Sequence, residues 1–315
     1  MPRYKLTIAY DGTDFCGWQK QEPPIGAGSG GGAIVEGEAV ALGVEPTAAY
    51  SDATPQLESE REGRVALRTV QAVVERAVRE VCRERVELIG ASRTDSGVHA
   101  RGQCAAFTTN PDGKGTGWPS ERGCDRLVMA LNSRLPADVV VVAAEEVAPG
   151  FNPIGDAVRK RYSYTFCVGP QRPIWTRRTV NWLPRGRLDV TKMNEAGQVL
   201  VGEHDFAAFA AAGHGRLSTV RTIFSLGVAE VEQGLESEGG GGGGGGGSQL
   251  VRMEVEGNGF LWNMVRIIAG TLMQVGLNQK TPEQVKEALI GLDRAKAGIT
   301  APPQGLCLER IWYPE

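Results

Sequence analysis

The sequence predicts an α+β fold of two similar halves, residues 1–150 and 151–315. Each is a mixed, largely antiparallel sheet with helices on its outer face, and the two meet at a central catalytic cleft. Three observations predict it. The 315 residues suffice for two packed halves, and 41% are hydrophobic, an ordinary share for a globular protein. Segments with the two-residue period of strands are interspersed with segments of helical period, and the order in the second half is similar to that in the first.

Tyr4, Leu6, Ile8 and Tyr10 alternate with Lys5, Thr7 and Ala9, the pattern of a half-buried strand, and Asp11-Gly12 supplies its turn. Thr69 is a candidate N-cap for a helix in which Val70, Val73, Val74, Ala77, Val78 and Val81 follow helical spacing. Val86–Ile89 and Cys104–Thr108 read as strands flanking a loop over 90–103, followed by a helix over 125–133 and a strand over Val139–Glu146. In the second half, strands are expected at Arg161–Cys167, Thr219–Val228, Leu250–Glu256 and Leu308–Trp312. Helices are expected over 190–201, 260–275 and 282–290. The apolar window Phe260–Leu277 contains Asn263, Arg266 and Gln274, which suits a buried amphipathic helix and not a membrane span.

Two segments break the pattern and read as disordered surface inserts: residues 22–68, rich in Gly, Ala, Glu and Ser, and 230–248, which holds nine consecutive glycines. They carry net charges of −5 and −4, so the formal charge of −3 conceals a remainder at +6, compatible with an RNA substrate. The six cysteines are scattered and read as reduced, mostly buried thiols. His99, His204 and His214 have no His or Cys at ligand spacing, so no metal is expected. The chain runs from Met1 straight into a strand pattern, with no room for a secretory leader, and a cytoplasmic location is the expectation.

Gly26-Ala27-Gly28-Ser29-Gly30-Gly31 formally matches the G-x-G-x-x-G fingerprint of dinucleotide-binding enzymes. That fingerprint needs a strand before it and a helix N-terminus after it, to aim backbone amides at the pyrophosphate. Pro23-Pro24 precedes it here and more Gly and Ala follow, so the match reads as accidental.

The chemistry concentrates in Gly90-Ala91-Ser92-Arg93-Thr94-Asp95-Ser96-Gly97-Val98-His99-Ala100, a polar loop of small residues between two strands. Arg93 lies two residues before Asp95. In extended backbone the two side chains share a face, and the guanidinium is expected to hold the carboxylate ionised and oriented. Tyr164 and Phe206 read as core, His99 and His204 as hydrogen-bonded structural residues, and Trp18 and Trp262 as core or as platforms for RNA bases.

The stretch Arg93–Ala100 resembles the catalytic loop of TruA-type tRNA pseudouridine synthases, whose pattern is Arg-Thr-Asp-x-Gly-Val-His-Ala. Further blocks resemble that family in the same order. These are Tyr10–Thr13 with Gly17–Gln21, Thr69–Gln71, Leu131-Asn132 with Leu135–Val139, Arg161–Tyr164, Gly202–Phe206 and Ser218–Ile223. Gly257–Leu261, Met264–Arg266 and Thr300–Leu306 complete the series, so the resemblance covers essentially the whole chain outside the two inserts. Two features depart from the pattern: the long 22–68 insert, and Ile154 where the family tends to carry an arginine three residues after Phe151.

The resemblance implies an isomerase that detaches uracil from C1′ of a uridine in tRNA, rotates it and rejoins it through C5, with no cofactor. Asp95 would be the nucleophile or base. Arg93 would be its partner and hold the base out, Tyr162 would stack on the uracil and assist removal of the C5 proton, and Arg266 and Leu306 would line the pocket. It further implies a homodimer binding tRNA, with targets at positions 38 to 40 of the anticodon stem-loop. A non-catalytic RNA-binding protein of the same fold is the alternative, and the presence of Asp95, Arg93 and Tyr162 together argues against it.

Overall fold

The computed structural model describes residues 1–21, 66–111, 115–211, 218–232 and 248–314. Most of both inserts, the Gly26–Gly31 motif and His214 lie outside the described residues. The chain is α+β and forms two compact units, Met1–Asp156 and Ala157–Glu315.

In the first unit, β1 (Arg3–Tyr10) lies between β3 (His99–Thr108) and β4 (Val139–Val147), antiparallel to both, and the short β2 (Ile89–Gly90) pairs with β3. The alternation read from the sequence is the alternation of burial: Tyr4, Leu6, Ile8 and Tyr10 are buried, and the residues between them are half-exposed. Helix α1 (Val70–Cys82) starts where expected, because the Thr69 side chain accepts a hydrogen bond from the Ala72 N–H. Its Val70, Val73, Val74, Ala77 and Val78 are buried, each valine adding roughly 1.5–3 kcal/mol through burial. Helix α2 (Cys124–Asn132) packs on β4 and ends in a two-way lock, in which the Asn132 amide both accepts from Val141 N–H (2.8 Å) and donates to its carbonyl (2.9 Å).

The strand expected at Val86–Ile89 is not formed as such. Side chains of α1 take the hydrogen bonds a neighbouring strand would have made: Glu75 accepts from Leu88 N–H (3.0 Å), Gln71 donates to Leu88 C=O (2.8 Å) and Arg79 donates to Val86 C=O (3.1 Å). Only Ile89–Gly90 then pairs with β3. At the other end β3 begins at His99, five residues earlier than expected, because Tyr10 pairs with Ala100 and carries the ladder into the polar loop.

Glu75 is only 2% exposed and holds Lys20 (2.7 Å) and Arg79 (2.5 Å) as well as Leu88 N–H. Its removal strands a buried N–H and releases two cations that reach solvent. Glu75→Ala is therefore expected to cost about 2–3 kcal/mol, below the usual penalty for breaking a wholly buried pair. Urea unfolding measures it, and a loss under 0.5 kcal/mol, the scale of an ordinary surface substitution, would contradict this account.

In the second unit the strand order is β10 (Leu306–Trp312), β5 (Arg159–Val168), β9 (Gln249–Gly257), β8 (Val220–Glu230) and β7 (Gly202–Asp205), all antiparallel. The short β6 (Asn181–Leu183) pairs parallel to β5 and makes the sheet mixed. One sheet face gathers Tyr162, Tyr164 and Phe166 of β5 beside Leu306 and Leu308 of β10 and Val251, Met253 and Val255 of β9, all buried. Helices α3 (Val190–Gln198) and α4 (Met264–Gly276) pack on the sheet, and α5 (Pro282–Gly291) packs on α3. α4 begins four residues later than expected, because Asn263 at its N-cap takes a left-handed conformation (φ 59°) that an α-helix cannot include. α5 opens on a capping box between Thr281 and Gln284 with Pro282 in its first turn.

All six cysteines are free, three buried and three half-buried, and burial pushes the Cys82 thiol up to about 11. Among the described residues no helix is long and apolar enough to cross a membrane.

Candidate active site

Asp95 sits half-buried in the connection between β2 and β3, on backbone fixed from several directions. At the entry, Ala91 N–H donates to Cys104 C=O (2.8 Å), while the buried Gln103 amide accepts from Ser92 N–H (3.2 Å) and donates to Ser92 C=O (2.6 Å). In the middle, Thr94 C=O accepts from Trp18 N–H (3.0 Å) and the Thr94 hydroxyl meets the Tyr10 hydroxyl at 2.8 Å. At the exit, Val98 N–H returns to Asp95 C=O (3.2 Å), closing a four-residue turn. Gly97 is its third residue at φ 76°, the left-handed conformation a type II turn requires there. That requirement accounts for glycine two positions after the aspartate.

The segment 10–21 wraps this turn from outside. Phe15 C=O accepts from the Ser96 hydroxyl (3.0 Å) and from Gly97 N–H (3.4 Å). Gly12 and Gly17 press so close that a side chain on either would meet loop backbone, with a Cβ on Gly12 falling 1.9 Å from the Val98 carbonyl oxygen. A Cβ on Gly90 would overlap the Trp18 indole at 2.1 Å. The wrapping segment is itself tied down. Cys16 N–H donates to Arg68 C=O (2.8 Å), and the Arg68 guanidinium stacks over Phe15 (3.9 Å) while holding both Asp138 oxygens (3.0 and 2.8 Å). The sequence blocks around Gly12, Gly17, Thr69 and Asp138 are thus parts of one clamp. Its effect is to hold the Asp95 backbone with little freedom.

Arg93 is exposed, and among the described residues no ion pair joins it to Asp95. The pairing expected from their spacing is not made here. The backbone between them is committed to the Trp18 bond and the turn, and not to a regular strand that would put both side chains on one face.

In the second unit, Tyr162 lies on β5 with its ring packed edge-on against Phe260 (5.2 Å, 85°). Leu306 is buried at the start of β10, opposite Tyr164. Arg266 lies on the first turn of α4, its guanidinium fixed by donation to Ala301 C=O (2.8 Å) and to the Asn263 side chain (2.7 Å). The Tyr164 hydroxyl donates to Pro302 C=O (2.7 Å), and burial pushes its pKa far up despite the opposing pull of Arg266, so it stays a neutral donor. Arg266, Tyr164 and Leu306 are therefore joined through residues 301–306, with Gly305 pressed on the Tyr164 ring too closely for a side chain (2.6 Å).

Tyr164 and Phe206 are core residues, as expected. His99 is structural: its Nδ1 accepts from Gly12 N–H (3.0 Å), which requires a lone pair there and hence the Nε2–H tautomer if the ring is neutral. The same atom is 3.1 Å from an Asp11 oxygen, an ion pair only if the ring is protonated. We favour the Gly12 bond because Asp11 Oδ1 already accepts from both Thr13 groups. His204 is held by Val201 C=O (3.1 Å). Trp18, at 2% exposed, is core, whereas Trp262 is 51% exposed. Ile154, at the departure from the family pattern, points into solvent from a turn that Asn152 closes. Sequence reading passed over Gln103 and Tyr10 as loop anchors; a fully buried glutamine beside Cys104 becomes legible only once β3 is extended to His99. Among the described residues, no three His, Cys, Asp or Glu side chains group as metal ligands.

A family model described as tRNA pseudouridine synthase matches residues 196–314. The "tRNA pseudouridine synthase A 2" of Clostridium perfringens (strain 13 / Type A) is 36% identical over 313 residues, covering 99% of this chain and 100% of that protein. The "tRNA pseudouridine synthase A" of Geobacter sp. (strain M21) is 37% identical over 316 residues, covering both chains fully. The chain belongs to the tRNA pseudouridine synthase A family. The family model lies within the second unit, while the full-length relatives extend the similarity over the first, which carries Asp95. The clamp around Asp95 is accordingly part of a chain that matches tRNA pseudouridine synthase A proteins from end to end.

Proposed function

We propose that this chain converts uridine to pseudouridine in tRNA and that Asp95 is the reacting group. The observation that carries this reading is the half-buried Asp95 carboxylate on a turn fixed by its neighbours, in a chain of this family. The reaction breaks the bond from N1 to C1′, forms one from C5 to C1′, and exchanges the C5 proton for one on N1, so substrate and product are isomers. The base must leave the stack for a side chain to reach C1′. Asp95 acts there as nucleophile or base. Arg93, exposed and without an ion pair to Asp95, is available to hold the extruded base or its phosphate. Tyr162, Arg266 and Leu306 act on the same nucleoside, with the Tyr162 ring stacking on uracil and its hydroxyl assisting loss of the C5 proton. The catalytic cleft expected from the sequence, the homodimer and the anticodon targets 38 to 40 belong to the same proposal and rest on the family resemblance.

Incubation with unmodified tRNA tests the activity. Pseudouridine at positions 38 to 40 is expected, and its absence from every position would contradict the reading. Tyr162→Phe retains the ring and its edge contact with Phe260 but lacks the hydroxyl. We expect tRNA affinity to persist and turnover to slow about 100-fold, the scale of a lost proton-transfer group. Turnover equal to wild type would reduce Tyr162 to a stacking surface.

A further inference from the structure

Between Asp156 and Asp189 the chain has eight arginines and lysines and not one acidic residue, in a protein of formal charge −3. Three of these cations sit in ion pairs: Arg159 and Arg161 share Glu256, and Arg187 reaches Glu230. The connection from β5 to β6 is different. Arg172 lies over the face of Trp182 (5.1 Å) and Arg177 donates to the Ile174 carbonyl (2.6 Å), so among the described residues both charges have neutral partners. Between them Trp175 is 82% exposed and Ile174 62% exposed.

This connection is anchored at both ends. Gly169 N–H donates to Leu183 C=O (3.0 Å), the Trp182 indole N–H donates to Gly169 C=O (2.9 Å), and Val180 and Asn181 are buried. An indole left in water between two arginines of the sequence is an unfavourable arrangement for the protein alone, since its apolar area stays wet. It becomes favourable against a ligand with both negative charge and flat aromatic faces. An unpaired stretch of RNA is such a ligand, its bases stacking on indole and its phosphates matching guanidinium forks.

We propose that the β5–β6 connection is a tRNA-docking surface, in which Trp175 stacks on an unpaired base and Arg172 and Arg177 bind flanking phosphates. The proposal rests on the tRNA substrate assigned above. It adds a contact remote in sequence from Asp95, one that contributes affinity and leaves the chemical step alone.

The test uses the full chain as wild type, as the double variant Arg172→Glu/Arg177→Glu, as Trp175→Ala and as Trp175→Phe, with melting temperatures confirming that these exposed changes leave the fold intact. Affinity for unmodified tRNA is measured across salt concentrations, and tritium release from C5-labelled tRNA is measured at saturation. The double variant should bind at least tenfold more weakly, with a salt dependence shallower by about 1.5 to 2 in log–log slope. Trp175→Ala should lose about tenfold, and Trp175→Phe much less. Both arginine and tryptophan variants should match wild-type turnover at saturating tRNA. If wild type releases tritium while the variants bind within twofold of it, the docking surface is wrong and the activity stands. Loss confined to the charge reversal, with Trp175→Ala unaffected, overturns the proposal as stated. Wild type that neither binds tRNA nor releases tritium overturns both readings. Indole emission that answers to anionic phospholipid vesicles and not to tRNA, and is lost in Trp175→Phe, assigns the surface to a membrane instead.

Discussion

Gly12→Ala is expected to lose both stability and activity, although it adds one methyl group far in sequence from Asp95. Its Cβ would fall 1.9 Å from the Val98 carbonyl oxygen and 2.5 Å from the carbonyl carbon. Both are backbone atoms, so no side-chain rotation relieves the overlap, and either the 10–13 turn or Val98 must move. Val98 N–H closes the turn on Asp95 C=O, and Gly12 N–H is bonded to His99, so either movement reaches Asp95. Overpacking of this kind costs about 3 kcal/mol, and a reacting group displaced by about 1 Å costs about 100-fold in rate. Gly150→Ala provides the comparison, since nothing lies within 4 Å of the added methyl. Thermal melting and tritium release on the two variants check the pair. Gly12→Ala indistinguishable from Gly150→Ala would mean that the close approach at Val98 does not constrain the loop.

Asp95→Asn should abolish turnover and leave folding and tRNA affinity in place. Asparagine keeps the shape of the side chain and one of its two acceptor oxygens. It cannot attack C1′ or take a proton as a carboxylate can. The bonds that fix the turn come from the Asp95 backbone carbonyl, from Thr94, from Ser96 and from the 10–18 segment, all of which the substitution retains. The expected loss is at least about 10³-fold, since removing a reacting group costs far more than removing a positioning contact.

The sequence carried much of this, for reasons visible in particular residues. β1 was legible because Tyr4, Leu6, Ile8 and Tyr10 share a buried face, so period two is written directly into residue types. The start of α1 was legible because Thr69 caps it with its own side chain. Val86–Ile89 misled because its apolar pattern is that of a strand while its hydrogen bonds go to Gln71, Glu75 and Arg79, partners 7 to 17 residues away that no local pattern reveals. The short β6 and β7 went unseen, since three or four residues establish no period. The Asp95 loop stood out as a motif, and its glycine has a conformational reason. The Arg93–Asp95 pair did not follow, because spacing fixes side-chain direction only while the backbone is regular, and here Trp18 holds it elsewhere. The basic connection before β6 does not show in the +6 remainder, because that sum spreads its cations over the whole chain outside the two acidic inserts.

The central claim is that Asp95 performs uridine isomerisation in tRNA, and one measurement tests it most directly. Tritium release from C5-labelled uridine in tRNA is followed for wild type and Asp95→Asn, with melting temperature and tRNA affinity taken on the same preparations. The account predicts release by wild type and none above background by an Asp95→Asn protein that melts and binds as wild type does. A well-folded Asp95→Asn protein that releases tritium at a comparable rate would contradict it.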